Sequence, residues 1–119
     1  MKIWLDDIRS MPCDYTDHAY SVDVAKMLIL EAERKGIEIE VIDCDHDLGE
    51  YSCYGGDGIS LLDWLVERNT LYPIKLHTMN PVGRQNMQRM LDRYWYKKVL
   101  WGIIYERVES SRYCKINRC

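Results

Sequence analysis

The chain contains no apolar run approaching the roughly 20 residues that a membrane-crossing helix needs, so no membrane association is expected. It does not open with the charged-then-apolar pattern of a secretory leader either, because Asp6 and Asp7 interrupt the first apolar stretch. The five cysteines, Cys13, Cys44, Cys53, Cys114 and Cys119, include no CxxC pair, which argues against a disulfide framework and a standard zinc knuckle. Reduced thiols in a cytoplasmic protein are the expectation. A zinc site drawing on His18, Cys44, His46 and Cys53 would match no closed structural spacing. Internal repeats and low-complexity segments are absent as well.

What is present fits one globular domain. The 119 residues are too few for two comfortable domains, and 47% are hydrophobic, with four Trp and nine Tyr. A net charge of −3 hides an uneven distribution. Residues 96–119 carry six Lys/Arg against Glu106 and Glu109, a surplus of +4 that leaves residues 1–95 at −7. The chain thus divides into an acidic body, 1–95, and a basic extension, 96–119, expected to pack on the same domain. Such a tail can meet phosphate or nucleic acid, although charge of this kind more often keeps a terminal segment solvated.

Strand-like runs appear at residues 2–5, 37–42 and 73–76. Between them lie helical patterns. Ser21 can cap the first, whose apolar stripe reads as Val24, Met27, Leu28, Ile29 and Leu30, with Gly36 at its end. Asp57 can cap the second, Gly58 to Asn69, and Asn80-Pro81 opens the third, which runs to Tyr94. The order β-α-β-α-β-α predicts a three-layer α/β fold with a parallel core and right-handed crossovers. Residues 99–105 and 112–116 read as strand-like additions in the extension.

Each strand-like run ends in polar residues: Asp6-Asp7-Ile8-Arg9, Asp43-Cys44-Asp45-His46-Asp47, and His77-Thr78-Met79-Asn80. Parallel neighbours would bring these clusters to one edge, where open α/β sheets bind ligands. One acidic pair alone is adequately explained as surface charge. Convergence of Asp6 and Asp7 with Asp45 and Asp47 favours a hard divalent cation, Mg²⁺ or Mn²⁺, sharing its site with a phosphate. His46 and His77 add groups that titrate near neutrality. The helix starting at Asn80 would offer free N–H groups, with Gly83 permitting close approach and Arg84 pairing with an anion. Arg9 and Thr78 complete a phosphate-binding set. Tyr51, Tyr54 and Trp64 flank the cleft loop and are candidates for stacking a base.

The motifs LDDIR at 5–9, DHDLG at 45–49, GGDG at 55–58 and HTMNPVGRQNM at 77–87 resemble the cyclic-phosphate processing receiver-like proteins of phages and bacteria. The resemblance covers the chain to about Trp95. It implies a receiver-like fold with fewer strands than usual, a role in processing cyclic phosphates, and a host cytoplasmic location if the chain is phage-encoded. The chain is also similar to phosphoacceptor receivers, with Asp6-Asp7 as the acidic pair, Asp45 or Asp47 as acceptor and Thr78 as the hydroxyl. Departures are evident: the stretch after the acceptor is long, no Lys-Pro pair follows, and a phosphoacceptor has no use for the two histidines.

These readings converge on a metal-assisted phosphoesterase acting on a cyclic nucleotide, an ADP-ribose cyclic phosphate or an RNA end. Asp6, Asp7 and Asp45 would hold the metal with Asp47 in support, and His46 and His77 would exchange base and acid duties. The alternative is a non-catalytic receiver-like module that binds or sequesters a nucleotide signal or a host protein; metal-free hydrolysis by the histidines is a third reading. A homodimer through the extension would cover Trp95, Trp101, Ile103, Ile104 and Tyr105.

Overall fold

The computed structural model describes residues 1–95. The expected strands, packing and dimer contacts of residues 96–119 lie outside the described residues. Four parallel strands, β1 (Lys2–Leu5), β2 (Asp17–Ala19), β3 (Val41–Cys44) and β4 (Ile74–Leu76), form one sheet in the order β2-β1-β3-β4. Three helices accompany it: α1 (Val22–Lys35), α2 (Gly58–Arg68) and α3 (Pro81–Met90). This is an α/β receiver-like fold. No helix among the described residues is long and apolar enough to cross a membrane.

Strand alternation sorts the two faces of the sheet. Ile3, Leu5, Ile42, Cys44, Ile74 and Leu76 join Val22, Ala25 and Ile29 of α1, Leu61, Leu62 and Leu65 of α2, and Met87 of α3 in the core. The register pairs Trp4 with Asp43 and Asp43 with Lys75, placing these three on the opposite face.

Two strands depart from the sequence reading. β2 has no counterpart in the sequence pattern, because Asp-His-Ala carries no hydrophobic alternation and becomes a strand only by pairing with Ile3, Trp4 and Leu5. β3 begins at Val41 rather than Ile37 and continues to Cys44. Ile37 instead closes α1, its N–H donating to the Ala32 carbonyl at 2.8 Å beside Gly36 at φ 69°. Asp43 is therefore inside a strand and 1% exposed.

The helix caps follow the sequence more closely. Ser21 Oγ accepts the Val24 N–H at 3.2 Å, and Asn80 Oδ1 accepts that of Gly83 at 3.0 Å. Asp57 stands at the start of α2 but accepts the Leu48 N–H at 3.1 Å, tying the preceding loop down instead of capping. The buried face of α1 is Val22, Ala25, Ile29 and Ala32, while Val24, Met27 and Leu30 of the expected stripe are exposed. Small alanines let α1 approach the sheet, so the inward face is set by fit rather than by bulk. After α3 the chain makes one π-helical turn, Leu91–Trp95, and Trp95 is buried with Nε1 donating to the Tyr72 carbonyl at 2.7 Å.

Candidate active site

Because all four strands are parallel, the segments that follow β1, β3 and β4 emerge at one edge. They enclose a cleft of about 310 Å³ lined by Asp6, Asp7, Arg9, Asp45, Asp47, Thr78 and Asn80, together with Ile8, Gly49 and Met79. Seven residues expected at the site are thus brought together. His46, His77, Gly83 and Arg84 stand outside that lining.

Asp6 is fully buried and the most constrained of the acids. Its Oδ1 accepts the N–H groups of Ile8 and Arg9, both at 2.8 Å, and its Oδ2 faces Arg9 Nη1 at 3.3 Å and His77 Nε2 at 2.8 Å. Burial works to raise its pKa, yet the two backbone donors and His77 outweigh that and hold the carboxyl below its ordinary range. Asp45 moves the other way. Burial, and then the charge of Asp6, raise it despite hydrogen bonds from the His46 N–H and Thr78. Arg9 Nη1 lies 3.7 Å from Asp45 Oδ2, so one guanidinium spans both acids. One ligand atom each from Asp6, Asp45 and His77 fall within 4.8 Å of one another, a cluster able to hold a metal ion.

His77 occupies a position the sequence did not reveal. Its Nδ1 faces Asp43 Oδ1 at 2.6 Å, its Nε2 faces Asp6 Oδ2, and its ring stacks on Trp4 at 3.9 Å with an interplanar angle of 5°. Both nitrogens are engaged by carboxylates, leaving neither free to exchange a proton with a ligand. Tyr15 donates its hydroxyl to Asp43 Oδ2 at 2.5 Å, and burial followed by that bond pushes the phenol well up. Asp43 is the site residue that sequence reasoning left without a role. Its one signal is a carboxylate within the otherwise apolar run Val41 to Cys44, opposite Trp4.

The second imidazole is held differently. His46 Nδ1 lies 2.8 Å from Asp47 Oδ1, and Asp47 in turn accepts from Asn80 Nδ2 at 3.1 Å. The His46 bond, ahead of burial and Asn80, keeps Asp47 below the usual carboxylate range. His46 Nε2 has no hydrogen-bond partner among the described residues.

Gly83 exists for this ring, since a Cβ there would lie 2.4 Å from His46 Cγ. Gly83→Ala is expected to displace the His46 ring at a cost of about 1–3 kcal/mol. NMR should then show shifted imidazole resonances for His46 and unchanged ones for His77; unchanged His46 resonances would refute the steric assignment.

The start of α3 provides less than expected. Pro81 has no N–H, Gly83 donates to Asn80 Oδ1, and Arg84 N–H donates to the Asn80 carbonyl at 2.8 Å. Only the Val82 N–H remains for an anion. The Arg84 side chain is half-buried on this helix and does not line the cleft. Trp64 is likewise removed from the stacking set, its ring lying beneath the Arg68 guanidinium at 4.4 Å. The zinc alternative also fails: Cys44 is in the core with its thiol pushed up by burial, and no metal-capable group among the described residues includes a cysteine.

The sequence matches one protein family, described as the cyclic-phosphate processing Receiver domain, over residues 1–93. Comparisons with curated proteins and with solved structures give no match. With its parallel sheet and its acids gathered at the ends of β1 and β3, this chain belongs to the cyclic-phosphate processing receiver domain family.

Proposed function

We propose that this domain is a metal-assisted phosphoesterase that opens a cyclic phosphate. The observation that supports it most is the Asp45 carboxyl, buried beside Asp6 with its pKa raised by burial and by that neighbour's charge. Among the described residues, Arg9 is the cation that bridges these two carboxylates. Their hard oxygen donors suit Mg²⁺ or Mn²⁺, which Asp6, Asp7 and Asp45 would hold with Asp47 in support. Such an ion supplies charge stabilisation to the phosphoryl oxygens.

The protein's own groups divide the remaining work. Arg9, relieved of bridging Asp6 and Asp45, turns to the phosphate, where Thr78, Asn80 and the Val82 N–H add donors. Gly83 makes room for the His46 ring, and Arg84, outside the cleft lining, is left out of the ligand set. Of the two histidines expected to share acid and base duties, His77 positions Asp6. His46, oriented through Nδ1 by Asp47, would in its protonated form give the Nε2 proton to the departing ribose oxygen as water adds to phosphorus and the P–O bond to that oxygen breaks. The metal, when bound, would supply that water as hydroxide.

One observation favours the second reading, a non-catalytic binding or sequestering module: neither imidazole is among the cleft-lining residues. Turnover decides between them. Incubation with 2′,3′-cyclic nucleotides, ADP-ribose cyclic phosphate and cyclic-phosphate RNA ends, followed by mass spectrometry, should yield linear phosphates that vanish with EDTA. Ligand returned unchanged supports the binding module, and activity surviving EDTA supports hydrolysis without a metal.

The metal itself has a separate readout. Folding raises the pKa of Asp45, so the stability this group contributes is present at low pH and lost as pH climbs through its folded value. At neutral pH the ionised Asp6–Asp45 pair is a cost that a dication offsets. Mg²⁺ or Mn²⁺ at about 100 times its Kd should add roughly 2.7 kcal/mol of stability. Asp45→Asn should melt higher than wild type without metal and respond little to it. Identical metal responses in the two proteins would exclude Asp45 as a ligand.

A further inference from the structure

We infer that the ligand is a single nucleotide whose base stacks on an exposed aromatic ladder beside the cleft, an inference that rests on the phosphate-binding reading above. The ladder runs His18, Tyr20, Tyr51, Tyr54. The rings of His18 and Tyr20 stack at 4.0 Å, Tyr20 and Tyr51 are 5.9 Å apart, and Tyr51 and Tyr54 are 6.4 Å apart. Both ends of this row are tied to the cleft or to the fold. His18 Nε2 donates to the Asp6 carbonyl at 2.9 Å, directly beneath the acidic site. Tyr51 belongs to the short 3-10 helix Gly49–Cys53, whose first residue lines the cleft and packs so closely on Asp7 that a Cβ would lie 2.7 Å from Oδ2. The Tyr54 carbonyl accepts the Asp23 N–H at 3.0 Å, fixing the segment against the start of α1.

The tyrosines are nevertheless left in solvent, with Tyr20, Tyr51 and Tyr54 exposed by 46%, 42% and 56%. Exposed aromatic rings next to a cleft that can take a phosphate are the features by which nucleobases are held without base-specific hydrogen bonds. Charge then selects among base-bearing ligands. A nucleic-acid strand binds through many phosphate contacts to Lys and Arg, but residues 1–95 sum to −7 and Arg9 is the one cation lining the cleft among the described residues. Such a surface accepts one phosphate at the cleft and one flat neutral base on the ladder. Among the described residues the cleft lining offers no second cation for the rest of a polyanion, and the RNA probe below reads any contact made by the basic extension.

The test compares two slowly hydrolysed probes on the full chain with Mg²⁺: adenosine 2′,3′-cyclic phosphorothioate and the base-free 1-O-methylribose 2′,3′-cyclic phosphorothioate. By calorimetry the adenosine probe should bind roughly 5- to 100-fold more tightly. Tyr51→Leu and Tyr20→Leu should reduce that preference without changing affinity for the base-free probe, and Tyr51→Trp should retain it. Equal affinity for both probes would overturn the ladder assignment while leaving the phosphate cleft standing; failure of both to bind would overturn the cleft reading and this one with it. Equal weakening of both probes by the leucine substitutions would show that the tyrosines only shape the loop. An eight-nucleotide RNA ending in the same cyclic phosphorothioate should bind no tighter than the mononucleotide, and tighter binding lost steeply with salt would overturn the choice of a single nucleotide.

Discussion

His77→Ala is expected to destabilise the domain by about 3–5 kcal/mol, because it leaves the buried carboxylates of Asp6 and Asp43 without the ring that joins them. The stacking contact with Trp4 is lost at the same time. For a domain of this size each kcal/mol lowers Tm by about 4–8 °C, so the variant should melt well below wild type. The deficit is electrostatic and has a sign. Asp6, whose carboxyl is held low in the wild type, loses a partner that favours its ionised form, so the folded variant should bind protons more readily and its deficit relative to wild type should narrow on acidification. Urea titrations at neutral and mildly acidic pH measure both effects. A stability unchanged at neutral pH would mean that Asp6 and Asp43 do not depend on the imidazole.

His46→Ala should behave in the opposite way. Its ring has one carboxylate partner, Asp47, which is exposed, so its removal leaves no buried charge unpaired. Stability should therefore fall by about 0.5–3 kcal/mol, from lost packing on Gly83 rather than from an unpaired buried charge. If His46 protonates the leaving ribose oxygen, turnover of a cyclic phosphate should fall roughly 10²- to 10⁴-fold, with the metal-induced rise in Tm preserved. Initial rates and thermal melts on the same two preparations separate the roles. A His46→Ala protein that turns over its substrate at the wild-type rate would remove His46 from the chemistry and leave a cleft that works through its acids and Arg9.

The contrast between the two histidines also shows what local sequence information can carry. Both stand after or near the end of a strand-like run, His46 between two acids and His77 before Thr78, and both read as candidates for proton transfer. Only the pairing of β1, β3 and β4 reveals that His77 lies between Asp6 and Asp43, residues 71 and 34 positions away. His46 meets its own neighbour, Asp47.

Features whose causes are local can be read from the chain. Ser21, Gly36 and Asn80-Pro81 mark helix ends because a cap acts on backbone groups three or four residues away. Acids after successive strand-like runs imply a polar edge whenever those runs are parallel, and the cleft at that edge gathers Asp6, Asp7, Asp45, Asp47, Arg9, Thr78 and Asn80. Tertiary structure decided everything that depends on a distant partner. It made a strand of Asp17–Ala19 by pairing it with β1, turned the alanine face of α1 inward, and buried Asp43 where Tyr15 and His77 satisfy it. It also brought His18 and Tyr20 beside Tyr51 and Tyr54, which are more than thirty positions further along the chain. A side chain's type and spacing are written in the chain, but its burial and its hydrogen-bond partners are properties of the packed whole.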